Sequence, residues 1–387
     1  MIETSLPRLT IQGRSLLPVI QGGMGIGISG HRLAGAVARQ GAIGTVASVD
    51  LRRLYPDLMQ RLRKCRDPAE HAAANIEALD REIRAAREIA GPDGFVAVNV
   101  MRALSNYTEM VQQACRSGID AIICGAGLAF DLPDLTEGFP RVALIPILSE
   151  ERGVRAVLKR WRRKGRIPDA IVIEHPRYAG GHLGATRLDD VADSRFDFDR
   201  VFEGLRHVFS ELELEFGRIP IIPAGGINSF EKISRLFELG ARGVQVGTPF
   251  AVTQECDAHP NFKKVLAEAH PEEIVTFMSS AGLPARAVLT PWLRRYLAKE
   301  ERLRAAATPA SAGNNCPSQV QCLGFCGFKD GDGAAGQFCI ETQLAAAQRG
   351  SVEKGLFFRG SEALPFGAEI RTVRELLERL LGSAHAI

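Results

Sequence analysis

The stretch that decides the fold reads Ile219-Pro220-Ile221-Ile222-Pro223-Ala224-Gly225-Gly226-Ile227-Asn228-Ser229, then a short amphipathic segment, then Gly243-Val244-Gln245-Val246-Gly247-Thr248-Pro249. Two short apolar runs each end in glycine, and the segment between them has helical period. Ser229 offers a capping oxygen, Ile233, Leu236 and Phe237 share one face, and Gly240 stands where a glycine stops a helix. Strand, turn, helix, strand implies a right-handed crossover between parallel strands.

Working outward, the same unit recurs. Apolar runs at Leu17–Gln21, Ala42–Val46, Phe95–Val100, Ala121–Cys124, Val142–Leu148 and Ala170–Glu174 join Ile219–Ala224 and Gly243–Val246 to give eight candidate strands. Helical periodicity follows most of them; in residues 31–40, Leu33, Ala34, Val37 and Ala38 fall on one face. Near-continuous apolar strands predict a sheet buried on both faces, and eight βα units close into an α/β (β/α)8 TIM barrel. The rival is an open doubly wound sheet, which would carry a GxGxxG turn after its first strand. Gln21-Gly22-Gly23-Met24-Gly25-Ile26-Gly27 misses the third glycine spacing and has no clear acidic ribose partner.

Residues 50–90 are long and charged and predict two or more helices after the second strand. Residues 186–215 form an insertion after the sixth. Beyond about residue 250 the pattern turns helical up to Leu303. The expected organisation is a barrel over 1–250, a helical segment packing on it over 251–304, and a Cys-rich C-terminal extension over 305–387. That extension starts with a small-residue linker, 305–315, and ends in a helix near Val373–Leu381.

A chain of 387 residues accommodates a barrel and an appendage. At 45% hydrophobic and 24% charged residues it reads as globular rather than disordered. A net charge of +3 is too close to neutral to imply nucleic acid, and no apolar run nears the roughly 18–20 residues that span a bilayer. Met1-Ile2-Glu3-Thr4-Ser5 carries no basic or apolar leader pattern, so the cytoplasm is the expected location.

In a barrel the chemistry sits in the loops that leave the strands' C-terminal ends, and loops 7 and 8 form the usual phosphate site. Gly225, Gly226, Gly247 and Thr248 occupy those loops. Glycine lets backbone N–H groups approach an anion, and a following helix N-terminus adds its dipole. After the sixth strand comes Glu174-His175-Pro176-Arg177-Tyr178-Ala179-Gly180-Gly181-His182. A histidine just after two glycines can reach a flat cofactor and transfer protons near neutral pH. His175 is a weaker candidate, held extended by Pro176. Asn99 ends the third strand and can offer donor and acceptor to a ring edge. Cys124, ending the fourth, reads as a small buried thiol.

Cys316, Cys322, Cys326 and Cys339 crowd into the 24 positions from 316 to 339. Four cysteines match the ligand count of an iron–sulfur cluster or Zn site, with the spacing closer to iron–sulfur. The basic run Lys159-Arg160-Trp161-Arg162-Arg163-Lys164-Gly165-Arg166 reads as a solvated helix face or, alternatively, a docking patch for an acidic carrier or nucleotide phosphate.

Taken jointly, Gln21-Gly22-Gly23-Met24, Val98-Asn99-Val100-Met101, Ala179-Gly180-Gly181-His182, Ala224-Gly225-Gly226-Ile227 and Val244-Gln245-Val246-Gly247-Thr248-Pro249-Phe250 resemble the nitronate monooxygenase (2-nitropropane dioxygenase) family. Ala258-His259-Pro260-Asn261-Phe262-Lys263 is similar to the related flavin-type enoyl-acyl-carrier-protein reductases. The resemblance spans roughly residues 15–290 and implies non-covalently bound flavin mononucleotide (FMN). It implies Gly23, Met24 and Asn99 facing the isoalloxazine, Gly180 and Gly181 beside the ring, Gly225, Gly226, Gly247 and Thr248 on the phosphate, and His182 as catalytic acid/base. Tyr178 and the Glu255-Cys256 pair depart from the family pattern and bear on the substrate more than on the flavin.

Three functions follow. The first is oxidation of a nitronate with O2. The second is an NAD(P)H-dependent reductase of enoyl thioesters or quinones, with an acyl carrier protein as possible partner. The third is a non-catalytic flavin- or phosphate-binding barrel. A small-molecule substrate is expected, as is a possible homodimer; neither nucleic acid nor membrane is.

Overall fold

The computed structural model describes residues 2–308, 316 and 322–383. Its strands are β1 (Leu9–Ile11), β2 (Arg14–Leu16), β3 (Val19–Gln21), β4 (Ile43–Ala47), β5 (Phe95–Met101), β6 (Ala121–Gly125), β7 (Ala143–Leu148), β8 (Ile171–Glu174), β9 (Gly181–His182), β10 (Ile221–Ala224), β11 (Val244–Val246), β12 (Ile274–Met278) and β13 (Pro284–Val288). Eight of them close into a barrel in the order β10-β11-β3-β4-β5-β6-β7-β8, every neighbour parallel. These are the eight strands expected from sequence, with ends shifted by one or two residues.

Closure follows from the burial pattern. Ile20, Ile43, Phe95, Ala97, Ile123, Ile145, Val172 and Ile222 fill the interior, and the alternate positions Val96, Val98, Ile122 and Ile173 pack outward against helices. The β1–β2 hairpin adds Leu9, Ile11 and Leu16 to the interior cluster and stoppers the strands' N-terminal end. Helix Phe230–Leu239 has the anticipated grammar. The Ser229 side chain accepts from the Lys232 N–H, and Gly240 ends the helix in the left-handed region at φ +110°.

The charged stretch after β4 forms a short 3-10 turn and helices Pro56–Arg61 and Pro68–Ala90. The expected final helix is present as Val373–Leu380. Most of the 305–315 linker lies outside the described residues. The region after residue 250 is not wholly helical. It also holds the antiparallel hairpin β12–β13, to which β9 pairs through Ala285↔His182 and Arg286↔Gly181. Ile274-Val275-Thr276-Phe277 is the β-branched, aromatic signal that announces this hairpin.

Candidate active site

Because all eight strands are parallel, their C-terminal ends share one rim. The two-residue side-chain period decides which residues face inward there. Phe95 and Ala97 point into the barrel, so Asn99 does too; Val172 points in, so Glu174 follows; Val244 and Val246 pack outward, so Gln245 turns in. Asn99, Glu174 and Gln245 thus place polar groups at the mouth of an apolar interior.

A cavity of about 700 Å3 opens over this rim. All ten residues expected to hold cofactor or carry chemistry line it: Gly23, Met24, Asn99, Gly180, Gly181, His182, Gly225, Gly226, Gly247 and Thr248. The loops after β10 and β11 are adjacent because those strands pair through Ala224↔Gln245. Gly225 and Gly226 adopt φ of +95° and +75°. A Cβ at Gly225 would stand 2.9 Å from His175 O, and one at Gly226 would stand 2.8 Å from Tyr178 Cβ. Only glycine suits both positions. A Cβ at Gly23 would collide with Asn99, whereas at Gly247 only Met24 Sδ comes within 4.0 Å, so that backbone faces open space. Ser48 Oγ and Gln245 Oε1 are buried without hydrogen-bond partners on the cavity wall. Unsatisfied polar atoms and bare backbone at this rim fit a polar, flat, phosphate-bearing group.

Two glycines expected to serve the cofactor answer to different neighbours. At Gly180 a Cβ would lie 2.5 Å from Arg359 C and Gly360 N, so this glycine admits the C-terminal segment; at Gly181 the nearest atoms belong to the Phe358 ring, 3.5 Å away. Thr248 Oγ1 accepts from the Gly360 N–H at 2.9 Å, leaving its own O–H to donate. The segment Phe358–Glu362 therefore closes one side of the cavity. Sequence reading did not place it there, because its partners lie more than a hundred residues away.

His182 Nε2 is 3.0 Å from Ser279 Oγ, which also accepts from the Ala281 N–H. Burial pushes the imidazole pKa down to about 4 and that of Glu174 up to about 7. The site thus holds a neutral imidazole and a carboxyl that titrates near neutrality. His175, by contrast, is spoken for. Its Nδ1 accepts from the Arg177 N–H and its Nε2 donates to Asp197, 3.3 Å away. Cys124 is fully buried beside the Tyr107 hydroxyl and its thiol is pushed up to about 12, as expected of an inert thiol.

The four-cysteine metal site finds no support. Among the described residues no group of three or more His, Cys, Asp or Glu is arranged to hold a metal ion. Residues 317–321, between Cys316 and Cys322, lie outside the described residues. Cys322 reaches the cavity wall, and its thiol is pushed up to about 12, chiefly by burial and then by Glu341 and the other three cysteines. The basic run is also largely consumed internally. Lys159 pairs with Glu211, Lys164 with Asp134 and Arg166 with Asp169; Arg162 donates to Leu212 O, and Trp161 is buried.

Fold and site together define a class: a (β/α)8 barrel whose glycine rim and half-buried imidazole share one cavity. The sequence profile of the nitronate monooxygenase family matches residues 10–382, and the chain belongs to that family of flavin-dependent oxidoreductases. A probable nitronate monooxygenase of Bacillus subtilis is 27% identical over 286 residues, covering 71% of this chain and 77% of that protein. One from Staphylococcus saprophyticus is 23% identical, covering 72% and 77%. FabK from Thermotoga maritima superposes with a TM-score of 0.63 at 21% identity, covering 94% and 91% of the two chains. A nitroalkane oxidase from Streptomyces ansochromogenes gives 0.64 at 18%, covering 95% and 96%. At such identities the two structures share the fold. Among the described residues no helix is long and apolar enough to cross a membrane.

Proposed function

We propose that the chain oxidises nitronates with O2, with FMN bound in the rim cavity. The observation that carries this reading is the convergence of Gly225, Gly226, Gly247 and Thr248 with His182 on one cavity, in a chain of this family. Bound there, FMN would supply the redox chemistry, taking electrons from the nitronate and returning them to O2. The protein's part is binding, orientation and proton handling. Backbone N–H groups of the loops after β10 and β11, with the Thr248 hydroxyl, hold the phosphate. Gly23 and Met24 leave room for the ring, and Asn99 meets its edge. His182 stays neutral at physiological pH, its ring fixed by Ser279, and manages the proton on the carbon bearing the nitro group. In this reading residues 1–250 bind the cofactor, 251–304 orient His182 through the β12–β13 hairpin, and the extension 305–387 covers the phosphate end through Phe358–Glu362.

The test is oxygen uptake with propane-2-nitronate, set beside anaerobic addition of NADPH. Oxygen consumption with nitrite release, and a flavin spectrum untouched by NADPH, are the expected results. Rapid bleaching by NADPH with no nitronate turnover would overturn the proposal and leave a reductase of enoyl thioesters or quinones. A carrier-borne substrate is less favoured, since Lys159, Lys164 and Arg166 of the basic run are paired with acids within the chain.

A further inference from the structure

Two guanidinium groups lie buried behind the glycine rim, and among the described residues neither has a carboxylate partner. Arg286 is 6% exposed and Arg359 is 4% exposed. Arg286 Nη1 donates to Pro176 O at 3.1 Å and to Ala179 O. Arg359 donates to Leu266 O at 2.8 Å, Gly360 O at 2.8 Å and Glu362 O at 3.2 Å. The two residues are also joined through the backbone, Arg359 N–H to Arg286 O at 3.4 Å. Glu362, on the segment that Arg359 grips, is taken by Lys232, which also donates to Gly226 O. Asp197 faces His175.

Burying a cation without a counter-ion is costly, and carbonyl dipoles offset only part of that cost. Burial alone lowers both guanidinium pKa values, Arg286 to about 10, with no acid pulling either back up. The chain has therefore placed two uncompensated positive charges in one region. The loops they grip are those that press on the rim glycines. Residues 175–179, held by Arg286, pack against the faces of Gly225 and Gly226 where a Cβ would sit. Residues 360–362, held by Arg359, deliver the N–H that engages Thr248 Oγ1.

Resting on the FMN reading above, we infer that Arg286 and Arg359 form a buried cationic pair that supplies the counter-charge for the flavin phosphate and sets the preference for FMN over unphosphorylated riboflavin. They act through the field and by positioning the two loops, without touching the ligand. In a poorly polarisable interior such a field is weakly screened.

The experiment strips flavin from the full chain and titrates it with FMN and with riboflavin, following quenching of flavin fluorescence. R286M and R359M should each weaken FMN binding by about tenfold or more while riboflavin changes little. R286K and R359K, which keep the charge, should retain most of the FMN preference. Parallel weakening of both flavins would reveal a packing role and overturn the inference, as would Lys and Met variants that behave alike. If a Met variant does not fold, R286Q or R359Q, neutral but still able to hydrogen-bond, decides: a lost FMN-to-riboflavin preference supports the pair, and a preserved one overturns it. A wild-type chain that binds neither flavin sinks the FMN reading itself, whereas unchanged ratios in charge-removing variants of an FMN-binding chain sink this inference alone.

Discussion

His182 Nε2 sits 3.0 Å from Ser279 Oγ, two residues 97 positions apart. The strand pairing Ala285↔His182 brings them together, because β9 adds to the edge of the β12–β13 hairpin. The imidazole on a barrel loop is therefore oriented by an element outside the barrel. Ser279→Ala should leave flavin content unchanged and lower kcat by about tenfold, the usual scale for a lost orienting hydrogen bond. His182→Ala should slow turnover by roughly 10²–10⁴-fold with FMN still bound. Steady-state kinetics on flavin-matched samples checks both, and near-wild-type rates for His182→Ala would remove the proton-handling role.

Gly226→Ala adds a methyl group at φ +75°, 2.8 Å from Tyr178 Cβ. The loop must shift, and the converging N–H groups with it. The purified variant should be pale, with FMN affinity down at least about tenfold. The thermal transition should fall only modestly, because the barrel interior is untouched. An absorption spectrum and a melting curve suffice, and a fully yellow protein would contradict the phosphate assignment.

Opposed titrations in the cavity predict opposed pH slopes of stability. Glu174 is raised from 4.5 to about 7 on folding, so the native state holds a proton the unfolded chain releases, and stability drops as pH rises through that window. His182 is lowered from 6.5 to about 4, so the unfolded chain takes up the extra proton, and stability drops as pH falls through that window. In the wild type the two slopes oppose each other where the windows overlap. Glu174→Gln should uncover a stability that climbs from pH 4 to 6.5; His182→Gln should uncover one that declines from pH 4.5 to 7. Melting temperatures across pH 4 to 8 test this, and equal pH profiles for the two variants would refute it.

Gly180→Ala tests the closure by the C-terminal segment. Its methyl group would meet Arg359 C and Gly360 N at 2.5 Å. The segment must back away, taking its N–H from Thr248. FMN dissociation should speed up several-fold, and amide exchange at Gly360 should rise relative to wild type. Unaltered exchange there would show that the segment does not depend on this contact.

Much of the site was legible because barrel grammar is local. Strand, glycine turn and capped helix at 219–249 announce themselves within about thirty residues, and parallel closure then forces the loops after β10 and β11 together. The period-2 pattern of Phe95 and Ala97 already predicts that Asn99 faces inward. The β12–β13 hairpin was missed although Ile274–Phe277 carries a β-branched, aromatic signal, because a single short strand pair among helices is outweighed by the helical period around it. Ser279, Phe358, Arg286 and Arg359 could not be found at all, since their roles depend on contacts across long sequence separations. The cysteine spacing suggested a metal, but spacing carries no information about how the four side chains are arranged, and among the described residues no group of them is placed to hold one.

By itself the sequence determined that eight buried parallel strands would close and that glycines would line the rim where they end, because side-chain period and turn chemistry act over a few residues. Only the tertiary structure decided how His182 is oriented, which segment closes the side of the cavity, and that two buried guanidiniums stand behind it. Those outcomes depend on desolvation and on which distant surfaces meet, and neither quantity is written in local pattern.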